Sequence, residues 1–231
     1  MLTNLPDISP NATPQEILGT GIEAAGGPVS LACSFSLEDV AIIDMAHKAG
    51  LNLGVFALDT GRLNEETYEV ADALAERYRL KIDWYFPRHE EVERLESEKG
   101  LFSFRESLEN RHECCHIRKV EPLSRALKEL KGWVTGMRRD QSITRGDLKA
   151  IEPDEPNGGI LKINPLIGWS ERQVMDYAKE NGLPTNRLYK QGYRSIGCAP
   201  CTRSIGPWDN VRDGRWWWEN PENKECGLHR R

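Results

Sequence analysis

From Val29 onward the chain alternates short apolar runs with stretches of helical periodicity, and that alternation limits the fold more than any other feature of its 231 residues. Val29–Phe35 (VSLACSF), Leu53–Leu58 (LGVFAL) and Leu80–Phe86 (LKIDWYF) have the length and composition of strands, as do the shorter Trp133–Gly136 and Ile160–Ile163. Between them, Leu37–Ala49 reads as a helix stopped by Gly50, and Asn64–Arg79 carries Tyr68, Ala71, Leu74, Ala75 and Tyr78 at helical spacings. Val120, Leu123, Leu127 and Leu130 form the stripe of another helix, and Ser170 opens one that runs to about Asn181. Strand and helix in repeated alternation predict an α/β fold built on a parallel sheet with helices on both faces. Ligands of such sheets sit at the carboxyl ends of the strands, so the loops Ser34–Asp39, Asp59–Arg62 and Gly136–Arg139 are expected to share one rim. Met1–Pro14 reads as a loose lead-in, Arg88–His112 as exposed helix and loop, and Glu152–Gly159 as a turn-rich connector. After Gly197 the periodicity fades into a tail rich in Cys, Trp and Arg, which suggests an α/β domain over 1–204 and a flexible C-terminal segment over 205–231.

The 36 acidic residues against 31 basic ones leave a net charge of -5, which gives no support to general nucleic-acid binding. No stretch approaches the roughly 20 apolar residues of a membrane span. The N-terminus shows neither a basic nor an apolar leader region, so a cytoplasmic location is expected. In a reducing compartment six cysteines argue for metal or redox chemistry rather than structural disulfides.

Cys114-Cys115 and the Cys198-Ala199-Pro200-Cys201 turn together offer four thiolates. Two adjacent cysteines fit one tetrahedral zinc poorly, whereas a multi-iron cluster gives separate irons to separate sulfurs. A 4Fe-4S cluster, a zinc site and a simple Cys198/Cys201 dithiol are the three readings of this set. Cys33, within an apolar run, reads as a small core residue. Cys226 differs from the rest: it lies in the polar Glu225-Cys226-Gly227-Leu228-His229 near Arg212 and Arg215, and nearby cations lower a thiol's pKa. It reads as a nucleophile, against the plain alternative of an incidental tail cysteine.

Ser34-Phe35-Ser36-Leu37-Glu38-Asp39 joins a strand to a helix, where amides and hydroxyls suit a phosphate or sulfate, though Ser36 and Asp39 have the spacing of an ordinary capping box. Neither a P-loop nor a G-x-G-x-x-G pattern is present. Lys119, Arg138, Arg139, Arg212 and Arg215 stand beside these loops or in the tail, and guanidinium forks match oxyanions. Trp216-Trp217-Trp218 reads as a hydrophobic anchor for the tail in preference to a base-stacking platform.

These residues, with Leu58-Asp59-Thr60-Gly61-Arg62, Cys114-Cys115-His116-Ile117-Arg118-Lys119 and Gly136-Met137-Arg138-Arg139-Asp140-Gln141-Ser142, resemble the assimilatory sulfonucleotide reductases, and among them the bacterial iron–sulfur adenylyl-sulfate (APS) reductases. The resemblance runs from about Val29 to His229. It implies an adenine-nucleotide α-hydrolase-like fold, related to PP-loop pyrophosphatases, with a C-terminal catalytic tail. The S-G-G-x-D-S loop of those pyrophosphatases is replaced here by Ser34-Phe35-Ser36-Leu37, which disfavours ATP cleavage. The implied function is reduction of APS to sulfite and AMP in assimilatory sulfate reduction and cysteine biosynthesis. The implied cofactor is one 4Fe-4S cluster on Cys114, Cys115, Cys198 and Cys201. Because relatives that use the 3′-phosphorylated substrate PAPS generally lack those cysteines, the resemblance favours APS over PAPS or dual specificity.

The implied mechanism has Cys226 attack the sulfate sulfur and form an S-sulfocysteine, which thioredoxin cleaves through a transient mixed disulfide. Lys119, Arg212, Arg215 and His229 are implied to screen charge, and Ser34, Ser36, Asp39, Thr60, Gly61, Arg62, Arg138 and Arg139 to hold the nucleotide. An ATP-dependent sulfur-transfer or tRNA-thiolation enzyme and a zinc-stabilised nucleotide-binding protein are the rivals. The oligomeric state, a homo-oligomer included, is left open.

Overall fold

The computed structural model describes residues 5–141, 147–220 and 224. In chain order the regular elements are α1 (Pro14–Ala25), β1 (Val29–Cys33), α2 (Leu37–Lys48), β2 (Gly54–Leu58), α3 (Glu65–Tyr78), β3 (Ile82–Tyr85), α4 (His89–Lys99), α5 (Leu108–Cys115), α6 (Glu121–Leu127), β4 (Gly132–Val134), β5 (Ile151–Asp154), β6 (Ile160–Ile163) and α7 (Glu171–Glu180). A six-stranded sheet has the order β3-β2-β1-β4-β6-β5. β1 pairs in parallel with β2 and β4, and β4 with β6, while β5 runs antiparallel to β6. The expected α/β fold is present, with a mixed rather than purely parallel sheet.

Two elements depart from expectation. β5 overlaps the stretch read as a connector, where Pro153 argues against a strand; at a sheet edge an N–H facing away from the neighbour can be missing without costing a ladder bond. α1 went unread, although Thr13-x-x-Glu16 is a capping-box spacing: Glu16 N–H donates to Thr13 Oγ1 at 3.2 Å and Thr13 N–H to Glu16 Oε2 at 2.7 Å. α7 opens on a second capping box, between Ser170 and Gln173.

The chain divides into two compact units. One comprises residues 1–57, 65–83 and 129–187, the other 58–64, 84–128 and 188–231. The first contains most of the sheet, and its core is formed around the fully buried Leu31, Val134 and Ile163. α2 is buried over nearly its whole circumference, Val40 through Ala46, which is why its sequence shows little amphipathic contrast. The second unit is helical. α5 continues through a π-helical turn, His116–Val120, into α6, and Leu95, Phe104, Cys114 and Ile117 form its apolar cluster. Among the described residues no helix is long and apolar enough to cross a membrane.

Candidate active site

In the first unit the site begins at the end of β1. Phe35 has φ +61°, a left-handed conformation that a non-glycine side chain adopts at a cost of about 1–2 kcal/mol. Ser36 follows as the N-cap of α2, but its hydroxyl accepts from no helix amide, so the capping box is not formed. Asp39 reaches back past it: its Oδ2 accepts from the Ser34 amide and the Ser34 hydroxyl, both at 2.7 Å. Asp39 is buried, and desolvation, only partly offset by these bonds, pushes its pKa up to about 6. Burial also pushes the neighbouring Cys33 thiol up, in keeping with a core cysteine.

β4 runs alongside β1, so the loop after β4 meets the same end of α2. Gly136 is required there, since a Cβ would lie 2.7 Å from Asp39 Oδ1 and 2.8 Å from Glu38 Cβ. Arg138 is buried and its Nε donates to Glu38 Oε1 at 3.0 Å, with a further bond from Nη1 to Trp169 O at 3.3 Å. Gln141 Nε2 donates to the same Glu38 oxygen at 2.9 Å. Arg139 turns instead to Leu148 O, at 3.1 and 2.9 Å from Nε and Nη2. Both arginines are thus engaged in fastening the loop. Glu38, quoted in the loop but given no role from sequence, is the carboxylate that binds it.

In the second unit the loop after β2 is closed by its own side chains. Gly61 N–H donates to Asp59 Oδ1 at 2.8 Å, and Arg62 N–H to Thr60 Oγ1 at 3.2 Å. The π-helical turn brings Arg118 inward: Nη1 donates to Thr60 O at 2.7 Å and Nη2 to Glu96, which also accepts from Arg62 Nη2 at 2.6 Å. Arg111 is buried and grips Glu219 with two bonds of 2.9 Å. Trp216, at φ +41° and buried, lies between Arg111 and Arg215, each 4.7 Å from its ring centre. Trp218 packs on the Phe104 cluster, so the tryptophans serve as an anchor. Gly197 allows the close approach of Arg215, whose Cζ lies 2.5 Å from where a Cβ would stand.

These groups enclose a small cavity of about 20 Å³ lined by Arg62, Arg118, Lys119, Arg215 and the four cysteines Cys114, Cys115, Cys198 and Cys201. The sequence placed the four cysteines together and the structure does so. The 4Fe-4S cluster expected on them, and the iron–sulfur and metal-binding character it implied, are overturned. Among the described residues no group of three or more His, Cys, Asp or Glu is arranged to hold a metal ion. The same finding removes the zinc alternative. The physical reason is visible: the cavity is of the size that holds one water. The Cys198 sulfur is turned to Thr60 Oγ1 at 3.3 Å. Within the cavity burial raises the Cys114 thiol and pushes the Cys201 thiol up to about 12. Arg118 Nε, Arg215 Nε and Trp216 Nε1 are buried donors without an acceptor among the described residues. Arg212 lies apart from the cavity lining, its Nη2 donating to Lys224 O at 2.7 Å. Cys226 and His229, the expected nucleophile and its neighbour, lie outside the described residues.

Glu96 and Glu219, which neutralise three of these arginines, were not legible in sequence. Glu96 sits in a charged stretch that reads as solvated, Glu219 follows the three tryptophans with no spacing that marks it, and the Arg111–Glu219 pair joins positions 108 residues apart.

Comparison with known proteins agrees with this architecture. Residues 28–204 match the phosphoadenosine phosphosulfate reductase domain. The chain is 48% identical over 201 residues to the adenosine 5′-phosphosulfate reductase of Burkholderia cepacia, covering 87% of this chain and 80% of that protein. It is 44% identical over 228 residues to the chloroplastic 5′-adenylylsulfate reductase 1 of Arabidopsis thaliana, covering 95% of this chain but only 48% of that longer protein. The crystal structure of a phosphoadenylyl-sulfate reductase from Candida auris, a phosphate complex, superposes with a TM-score of 0.71 at 28% identity, covering 87% of this chain and all of the other. Fold and relatives together define an oxidoreductase-type catalytic domain of the sulfonucleotide-reducing class. The chain belongs to the phosphoadenosine phosphosulfate reductase domain family.

Proposed function

We propose that this enzyme reduces a sulfonucleotide, APS or its 3′-phosphorylated form PAPS, to sulfite with a thioredoxin as electron donor, in assimilatory sulfate reduction. The observation that carries this reading is the family match over residues 28–204. The sequence preference for APS rested on a cluster that the cysteine geometry does not support, so both nucleotides are taken as substrates. A narrower reading, APS alone, is favoured by the 44–48% identity to relatives named as APS reductases.

In the proposed reaction the Cys226 thiolate attacks the sulfate sulfur. The S–O bond to the nucleotide phosphate breaks, its electron pair leaves with AMP (or the 3′-phosphorylated AMP), and an S–S bond forms to give S-sulfocysteine. A thioredoxin thiolate then attacks the Cys226 sulfur and displaces sulfite. The second thioredoxin thiol opens the mixed disulfide, returning Cys226 as a thiol and leaving oxidised thioredoxin, so the dithiol supplies both electrons. The first step brings an anion onto an anion. Lys119, Arg212, Arg215 and His229 are assigned to screening it, and one such contact in a water-poor site contributes about 2–4 kcal/mol. Ser34, Ser36, Asp39, Thr60, Gly61 and Arg62 are assigned to the nucleotide, with Arg138 and Arg139 fixing the loop beside it.

The test is intact mass of the protein after adding APS or PAPS without reductant. Gain of one SO3 group in the unaltered protein and none in Cys226→Ser is the expected result. An adduct that survives the substitution sinks the assignment of the nucleophile, and no adduct with either nucleotide sinks the function.

A further inference from the structure

Within the second unit, Thr202 and Arg215 form an antiparallel bridge, and Arg203 N–H donates to Gly214 O at 3.0 Å. The chain between them makes a closed excursion. It is held from within: Gly206 N–H donates to Asp209 Oδ2 at 2.8 Å and Asn210 N–H to Asp213 Oδ2 at 3.0 Å. It is held from outside by Arg194, whose Nη1 donates to Asp209 O at 3.0 Å, and by Ile205 N–H, which donates to Gly192 O at 3.0 Å. This fastened turn presents Trp208 to solvent with 96% of its surface exposed, next to a groove of about 640 Å³ lined by Arg203, Ile205, Asp209, Asp213, Trp217 and Lys224. An indole displayed on a pre-ordered turn loses little conformational freedom on contact and is the usual anchor of a protein interface.

Lys224 indicates what the surface receives. Its carbonyl accepts from Arg212, and its Nζ donates to Asp213 O at 3.4 Å, so the groove wall includes the backbone two residues before Cys226. Two trans peptide links span no more than about 7.6 Å between Cα atoms. A protein that attacks sulfur on Cys226 must bring its thiol within bonding distance of that residue, and a standard docking face covers about 800 Å² around the point of attack.

We infer that the Trp208 turn and the adjoining groove are the docking surface for the dithiol protein reductant, with the indole seated on an apolar patch beside the partner's attacking thiol. The inference rests on the proposed role of Cys226. In full-length enzyme assayed with thioredoxin and APS, Trp208→Ala should raise the KM for thioredoxin about 10-fold, and Trp208→Phe should recover most of it. Because the side chain touches almost nothing in its own chain, the rate of S-sulfo adduct formation without reductant, and turnover driven by dithiothreitol, should be unchanged. A thioredoxin KM within twofold of the unaltered enzyme, alongside normal adduct formation, overturns the docking surface alone. So does a self-associating protein that Trp208→Ala converts to monomer while KM stays the same. Failure of the unaltered enzyme to form any adduct removes the functional reading, and the docking surface with it.

Discussion

The carboxylates of the two units solve the problem of burial in opposite ways. Asp39 is surrounded by neutral donors, the Ser34 amide and hydroxyl, with Glu38 as its near charge, and desolvation leaves it titrating near 6. Glu219, only 8% exposed, is held by a bidentate guanidinium that is itself 1% exposed. The first arrangement keeps a carboxyl group poised to change charge at the end of β1. The second fixes a charge pair permanently behind the cysteine cavity. What differs is the cation: the first unit uses its buried arginine, Arg138, on Glu38 and the loop, one residue away from Asp39.

If that contrast is right, the largest effect should come from the fixed pair. Glu219→Gln leaves Arg111 charged and uncompensated in the interior and should cost about 3–5 kcal/mol of stability by denaturant unfolding. A loss under about 1 kcal/mol would mean that water reaches the pair. Asp39 should show its difference through pH. Its folded pKa, about 6, lies above the ordinary carboxylate value of 3.8, so the folded state holds the proton more tightly. The associated stabilisation is full below about pH 4 and is lost as pH rises through 6, about 3 kcal/mol across that interval. Asp39→Asn should flatten this part of the stability–pH curve, and an unchanged slope would assign it to another group.

Gly136→Ala probes how tightly the first unit's loop is set, because the added methyl must displace Asp39 or Glu38. It should cost about 1–3 kcal/mol and raise the KM for the sulfonucleotide more than it lowers kcat. The smallest change is expected at Thr60→Val. This removes a hydroxyl that accepts from the Arg62 amide and the Cys198 sulfur, and should cost about 1 kcal/mol in thermal unfolding with the sheet intact.

Much of the fold was legible because strand and helix signals are local. β1, β2, β3, β6, α2, α3 and α7 lie within a few residues of where apolar runs and caps place them. β5 was hidden by Pro153, whose meaning depends on whether the strand is at an edge, a tertiary fact. The candidate site was legible in its components and less so in its connections. Ser34, Asp39, Arg138 and the four cysteines were marked by residue type and spacing. Their partners Glu38, Glu96 and Glu219 are common surface-type residues selected by contacts distant in sequence. The cluster inference failed for a related reason: spacing reports which thiols converge, whereas the room between them and their arrangement around a centre belong to the packed interior.

The single wide turn at His116–Val120 has a consequence for how this chain tolerates change. It takes one residue more than an ordinary α-helical turn to complete about the same rotation, so α5 and α6 keep their angular phase while one extra residue is taken in. Deleting one residue there would leave Arg111 and Cys114 facing the groups they now meet and would re-aim Arg118, which lies on the turn and donates to Thr60 O. That segment therefore works as a local bulge that turns Arg118 inward, and its length should matter more than its composition.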